Sequence, residues 1–419
     1  MIALHFDSAG NDWRGLAFAA TCATLMMVGI GATRVAHAET ATKPTPADLG
    51  RHIFHDPSLS SSGRMACATC HDPASAHAQD NDLSVQLGGP DLATPGFRAV
   101  PSLRYMNLNI PFFFDNEGTP TGGFTRDGGA KDLVAQAHTP LLAAHEMDNR
   151  TAADFAARLR QAAYVDEFRA VFGTKAFDDP DFVLLAAEYS LSSYQLSAHE
   201  FHPYDSKFDL FLQRKVMLSA QELRGFALFN RPDKGNCAGC HLSTRQPDGL
   251  PPVFTDYTYD NLGVPRNPEI AANDDPGYFD LGLCGPFRTD LAERRDLCGQ
   301  FKVPTLRNVA TRHVFFHNGY FHSLIDALRF YFQRDTDPEL WYPLDANGVV
   351  EKFNDLPPLL KRNVNTQEVP YDRHPGQAAR LNEAEIQDLA AFLRTLTDGY
   401  DPLTDSADPA RDVPPTSTN

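Results

Sequence analysis

Methionine is scarce and unevenly placed in this 419-residue chain: there are seven, and none follows Met217. The second half therefore has no obvious thioether to offer a metal or cofactor. Basic residues are also short, with 37 Lys and Arg against 54 Asp and Glu and a formal net charge of −17. That balance argues against nucleic acid and anionic membrane as partners, and favours a partner carrying a basic patch. Tryptophan occurs only at Trp13 and Trp341. After the N-terminal leader no apolar run is long enough to span a bilayer.

Cysteine is also sparse, and its placement is the strongest signal. Of seven cysteines, four lie in two CxxCH pentapeptides, Cys67-Ala68-Thr69-Cys70-His71 and Cys237-Ala238-Gly239-Cys240-His241. Each sets two thiols within reach of the two haem vinyl groups and leaves an imidazole to bind the iron, which is the c-type attachment signature. A zinc or redox CxxC beside a histidine is the plainer alternative for one copy. Two copies after similar lead-ins weaken it, and the sequence reads as a dihaem cytochrome.

Cys22 lies in an apolar run, Gly15 to Ala32, preceded by Arg14 and followed by Ala36-His37-Ala38. This reads as a secretory signal over residues 1–38, cleaved after Ala38, with a retained membrane anchor as the alternative. Cys284 and Cys298 are then an even remainder, expected to form a disulfide in an oxidising compartment. The expected location is the bacterial periplasm. Cleavage would leave about 380 residues, enough for two domains.

The chain also reads as a duplication. Ala47 to Phe54 suggests a short amphipathic helix before the first CxxCH. Ser219-Ala220-Gln221-Glu222 suggests a capping box opening a helix through Phe229 before the second. Each half closes on a longer helix. Phe182 to His199 carries Leu184, Leu185, Tyr189 and Leu196 at helical spacing, and Asn382 to Thr397 carries Ile386, Leu389, Ala390 and Leu393 on one face. Residues 243–305 read as irregular connections and 401–419 as a disordered tail. The expected fold is mainly α-helical, with cytochrome c-like domains at 39–205 and 206–400, each holding one covalent c-type haem.

With no methionine beyond residue 217, Tyr331 is the candidate sixth ligand of the second haem. Ser323 opens a helix on which Leu324, Ala327, Leu328 and Tyr331 share a face. His317 and His322 are rivals, and a core tyrosine is the plainer reading. For the first haem, His77 is the nearest other histidine after the motif.

Phe301-Lys-Val-Pro-Thr-Leu-Arg-Asn-Val309, Phe316-His-Asn-Gly319, Leu324 and Thr255-Asp-Tyr-Thr-Tyr-Asp-Asn-Leu-Gly263 resemble the bacterial dihaem cytochrome c peroxidases. In that family a methionine closes the pattern that reads Ala327-Leu-Arg-Phe-Tyr331 here. Tyrosine in its place resembles the MauG and MbnH branch, and implies that Tyr331 completes the second haem beside His241. The resemblance places Leu87 where many relatives carry a blocking histidine, which implies an open first haem on His71. Gln136-Ala-His-Thr-Pro140 and His145-Glu146-Met147 resemble the segment that supplies the family's acid–base glutamate. This implies that Glu146 moves the peroxide proton, with Gln136 and Pro140 lining the pocket and His145 as a competing base.

Two departures stand out. Arg126 occupies the place of a tryptophan that relatives carry between the haems; Trp341 is a candidate route for holes to the surface, with a packed aromatic beside Tyr342 and Pro343 as the plainer reading. Relatives also bind calcium there, and their asparagine corresponds to Ala99. A calcium site here would rest on the carbonyls of Arg312 and Val314 with water. The resemblance implies a MauG-type enzyme that uses hydrogen peroxide to reach a high-valent state shared by both haems. That state would oxidise a partner, plausibly at a protein tryptophan. The alternatives are a cytochrome c peroxidase fed by a small soluble donor, and a non-catalytic dihaem electron carrier.

Overall fold

Ten α-helices carry the architecture of residues 43–404, the part of the chain that the computed structural model describes. The expected leader with its Ala38 cleavage site lies outside the described residues, as does the expected tail from 405 onward. In chain order the helices are α1 (Pro46–His55), α2 (Cys67–Cys70), α3 (Leu133–Leu142), α4 (Ala152–Leu159) and α5 (Val165–Phe172). Then follow α6 (Pro180–Ser197), α7 (Lys207–Leu212), α8 (Ala220–Asn230), α9 (Leu324–Gln333) and α10 (Glu383–Arg394). Strand content among these residues is three two-residue antiparallel ladders: 87–88 with 94–95, 113–114 with 120–121, and 259–260 with 301–302. The fold is mainly α, and no described helix is long and apolar enough to cross a membrane.

The helix starts follow local chemistry. Thr45 with Asp48, Ser219 with Glu222 and Asn382 with Glu385 form capping boxes at α1, α8 and α10. Each satisfies two backbone donors that a helix otherwise leaves free. At α9 the Ser323 side chain accepts from the Asp326 N–H.

One tight crossing is built twice. α1 packs on α6 and α8 packs on α10, in each case with a glycine at the closest approach. A Cβ on Gly50 would sit 2.0 Å from the Ser190 carbonyl oxygen, and one on Gly225 would sit 1.9 Å from that of Asp388. Four residues on from each glycine, Phe54 and Phe229 plug the core beneath. One apolar core gathers residues between Leu49 and Phe201, and another gathers residues between Phe208 and Leu396.

The face of α6 differs from the expectation. Leu184 is buried, but Leu185, Tyr189 and Leu196 are roughly half exposed. The buried face is Val183, Leu184, Ala186, Ala187, Ser190, Leu191 and Tyr194. A crossing this close selects small side chains along its line, so the larger apolar residues do not mark the inner face. Residues 243–305 are irregular as expected, with short 3-10 turns and one two-residue ladder, 259–260 with 301–302. Within them Cys284 and Cys298 form the expected disulfide.

Gly50→Ala and Gly225→Ala should each destabilise the folded protein by about 1–3 kcal/mol, because the added methyl meets backbone that cannot swing aside. Thermal unfolding of the two variants checks this. An unchanged midpoint in either would mean that its crossing has room to spare.

Candidate functional site

Both CxxCH motifs open onto one cavity of about 1400 Å³, lined by Cys67, Cys70 and His71 and by Cys237, Cys240 and His241. Single small-molecule pockets usually enclose about 300–1,000 Å³. None of these four cysteines is in a disulfide.

The two imidazoles sit in matching cradles. His71 Nδ1 lies 3.1 Å from the His77 carbonyl, and His241 Nδ1 lies 2.9 Å from the Phe254 carbonyl. A carbonyl only accepts, so Nδ1 carries the proton and Nε2 keeps its lone pair free for a metal. Each carbonyl also accepts a backbone N–H, from Leu103 at 3.1 Å and from Leu306 at 3.3 Å. One residue earlier, Ser102 Oγ donates to Ala76 O and Thr305 Oγ1 donates to Val253 O, both at 2.6 Å. His77 and Phe254 hold the same left-handed backbone, φ +54°. Burial pushes His71 down to about 4 and lowers His241, which favours the neutral ring at both. These cradles rest on a second internal repeat, Val100-Pro-Ser-Leu-Arg-Tyr105 against Val303-Pro-Thr-Leu-Arg-Asn308, a signal that motif spacing alone does not reveal.

Three half-buried cations face the same space. Arg126, Lys302 and Arg312 line the cavity, and none forms a salt bridge among the described residues. Arg126 Nε donates to Ala99 O at 3.0 Å, Lys302 Nζ donates to Gly123 O at 2.5 Å, and Arg312 Nε is enclosed without a partner. Desolvation pushes them down to about 9, 7 and 10 respectively. Desolvated cations around an open space call for anions, and haem propionates are anions of the right kind. With the motif cysteines beside metal-ready imidazoles, the residues present fit two c-type haems.

On α9, Leu324, Ala327, Leu328 and Tyr331 all line the cavity, as their spacing predicts. The Tyr331 phenol is held well above its ordinary pKa, chiefly by burial. Its ring lies 5.7 Å from Phe316 and 5.9 Å from Tyr371. His317 also reaches the cavity, but its ring is stacked on Phe301 at 3.7 Å with Nε2 3.9 Å from Asp355. His322 is not on the lining and faces Glu269 at 3.8 Å.

Around the first motif, α3 places Gln136 and Pro140 one turn apart on the cavity wall. His145 and Glu146 follow, with His145 Nε2 3.8 Å from Glu146 Oε1. Glu146 Oε2 is enclosed without a hydrogen bond, and burial raises the carboxyl to about 7. Burial lowers His145. The Glu146 backbone is clamped by the glycine pair: Gly89 N–H donates to its carbonyl at 2.9 Å, and a Cβ on Gly88 would lie 2.3 Å from the His145 oxygen. Leu87 lines the cavity from an exposed position. The His77 ring is packed against Phe201 at 4.1 Å and is absent from the lining.

Trp341 lies elsewhere, edge-on to Phe321 and Phe330 at 5.7 and 5.8 Å. No cluster of three or more His, Cys, Asp or Glu suited to a metal ion exists among the described residues. The Ala99 carbonyl is taken by Arg126.

Residues 44–217 match the family model described as di-haem cytochrome c peroxidase. The methylamine utilization protein MauG of Paracoccus denitrificans is 34% identical over 390 residues, 88% of this chain and 94% of the relative. The cytochrome c551 peroxidase of Nitrosomonas europaea is 28% identical over 277 residues, 65% of this chain and 68% of the relative. Among solved structures, the diheme peroxidase BthA of Burkholderia thailandensis superposes with a TM-score of 0.78 at 36% identity, covering 85% of this chain and 86% of that one. Identity at that level over most of both chains, on a fold with two haem-ready cradles, makes this chain a haem-dependent oxidoreductase of the di-haem cytochrome c peroxidase and MauG family.

Proposed function

We propose that this is a periplasmic dihaem peroxidase of MauG type. One domain, residues 39–205, carries a peroxide-reactive haem on Cys67, Cys70 and His71. The other, residues 206–400, would hold a haem on Cys237 and Cys240, with His241 and Tyr331 as the side chains to bind its iron. The observation that carries this reading is Tyr331 on the cavity wall, in a chain with no methionine beyond Met217, which is exposed and away from the lining. A phenolate is an anionic oxygen donor, which favours oxidised iron over reduced iron. It suits a centre that stores oxidising equivalents better than one that passes single electrons at high potential.

The bound haems supply the iron that takes up hydrogen peroxide and holds its oxidising power. The chain's part is proton transfer and enclosure. Glu146 takes a proton from the oxygen that binds and returns it to the oxygen that leaves, so that water departs instead of hydroxide. A carboxyl poised near neutrality by burial is suited to both steps. Gln136 and Pro140 shape the wall beside it. Leu87 offers no donor atom to the iron, so peroxide has no protein ligand to displace. The equivalents are then drawn from a partner protein with a basic patch, at a side chain such as tryptophan. Any calcium ion stays a property implied by the resemblance alone, on the carbonyls of Arg312 and Val314.

Similarity to the Nitrosomonas cytochrome c551 peroxidase supports a second reading, peroxide removal with electrons from a small soluble donor. Turnover of peroxide with a reduced small cytochrome c separates the two. Rapid sustained turnover favours removal, and a long-lived oxidised state that ignores the donor favours the MauG type.

Two variants test the assignment. Oxidised protein with two covalent haems should show one high-spin and one low-spin centre, and Tyr331→Phe should change the low-spin signals alone. If His317→Ala abolishes them while Tyr331→Phe leaves them intact, the tyrosine assignment fails. Glu146→Gln should slow the reaction with peroxide by about a hundredfold or more. The base form is the carboxylate, so the wild-type rate should rise with pH through about 7 and fall away below it. The variant should be flat across that range, as followed by stopped-flow absorbance. An identical pH profile in both would give the proton transfer to another group, with His145→Ala the next variant to examine.

A further inference from the structure

Arg104 and Tyr105 from the first repeat, and Arg307 and Asn308 from the second, converge on one carboxylate, Asp398. Its Oδ2 accepts from Arg104 Nη1 at 2.9 Å and from Asn308 Nδ2 at 2.7 Å, and its Oδ1 accepts the Tyr105 hydroxyl at 2.6 Å. Arg307 Nη1 lies 3.8 Å from the same oxygen. Tyr105 and Asn308 hold matching left-handed backbone, φ +64° and +58°. Asn308 makes its hydrogen bond without redox chemistry, so packing alone does not need a phenol at the equivalent place. The cluster is closed to solvent, with the Asp398 and Arg307 side chains each 1% exposed.

We infer that Tyr105 is a redox-active tyrosine, a buried one-electron store on the cavity wall whose proton is taken by Asp398. This inference rests on the peroxidase reading above. A phenol gives up an electron near neutral pH only if its proton has somewhere to go, because the protonated radical is a strong acid. That requirement selects Tyr105 from its neighbours. Tyr259 also lines the cavity, but its hydroxyl donates to the Gly122 carbonyl, which is no base. Tyr257 lines it with a hydroxyl that is enclosed and unpartnered. Tyr204 stands 4.9 Å from the Tyr105 ring and is likewise unpartnered at its hydroxyl. Tyr105 alone among these three and itself donates to a carboxylate.

The surroundings suit a stable radical. The Tyr105 oxygen accepts from the Tyr204 backbone N–H at 3.2 Å and from Arg307 Nη1 at 3.4 Å. Both bonds persist when the oxygen loses its own hydrogen. Arg307 is fixed by two bonds to Asp209, each 2.8 Å, and lies between the Tyr105 and Tyr204 rings at 4.6 and 4.7 Å. Arg104 and Arg307 balance Asp398 and Asp209, so a neutral carboxyl at Asp398 leaves one uncancelled positive charge and no bare anion. Trp341, the one tryptophan among the described residues, is absent from the cavity lining.

The step balances within the site. The O–H bond of Tyr105 breaks and an O–H bond forms on Asp398. One electron passes to the haem centre, where it cancels one of the two oxidising equivalents left by one molecule of hydrogen peroxide. Reduction by an outside donor returns the electron to the phenoxyl and the proton from Asp398.

The test is freeze-quench electron paramagnetic resonance of the intact dihaem protein after one equivalent of hydrogen peroxide, with optical spectra on the same samples. Wild type should give a tyrosyl signal that changes shape when the protein is grown on ring-deuterated tyrosine. Tyr105→Phe should lose the signal while retaining two haems. Asp398→Asn keeps an acceptor oxygen but no base, and should form the signal about a hundredfold more slowly. Tyr164→Phe is the control, because that hydroxyl donates to Asp56 at 2.9 Å away from the cavity lining. A tyrosyl signal that survives Tyr105→Phe overturns the inference. So does a haem spectrum that responds to peroxide with no tyrosyl signal in wild type, and that result leaves the peroxidase reading standing. A haem spectrum that does not respond at all removes both.

Discussion

The close crossing of helix pairs at Gly50 and Gly225 is the constraint on which the remaining structure depends. Each glycine lets one helix rest directly on the backbone of another, at Ser190 and at Asp388. This seats Phe54 and Phe229 in their cores and anchors the short segments that lead into the CxxCH motifs. From there the chain reaches His71 and His241, whose ring orientation is fixed by one carbonyl each. An imidazole free to turn could not present Nε2 reliably to a metal. The glycines therefore act on function at a distance, through two rigid cradles.

Electrostatics separates the two ends of the chemistry. Arg126, Lys302 and Arg312 are half-buried around the cavity without carboxylate partners, an arrangement that is unstable unless a bound anion completes it. Glu146 is the opposite case. It is a lone carboxyl raised toward neutrality by burial, with no cation against it to hold it ionised. The cavity wall thus carries both unpaired positive charge and a carboxyl raised toward neutrality.

Local features of the sequence were read well where short-range rules apply. The capping residues Ser219 and Asn382, the inner face of α10, the disulfide and the cavity-facing row Leu324, Ala327, Leu328 and Tyr331 all follow from spacing or pairing. The face of α6 was not legible, because a glycine-mediated crossing buries alanine and serine and leaves Leu185 and Tyr189 outside. Glu146, Gln136 and Pro140 were reached through resemblance alone, since nothing local distinguishes a buried carboxyl from a solvated one. The cation trio was missed as a group. Its members lie far apart in the chain, and desolvation is a property of the surroundings.

By itself, the sequence carried the short-range signals: two CxxCH motifs, the cysteine pair that forms the disulfide, and no methionine beyond Met217. These depend on residue identity and short spacing, which folding does not alter. Only the tertiary structure decided which side chains face the cavity, that Tyr331 and His317 reach it and His322 does not, and that Tyr105 and Asn308 meet on Asp398. Those outcomes depend on contacts between residues hundreds of positions apart. A contact of that kind exists only once the helix crossings have fixed the distance between its partners.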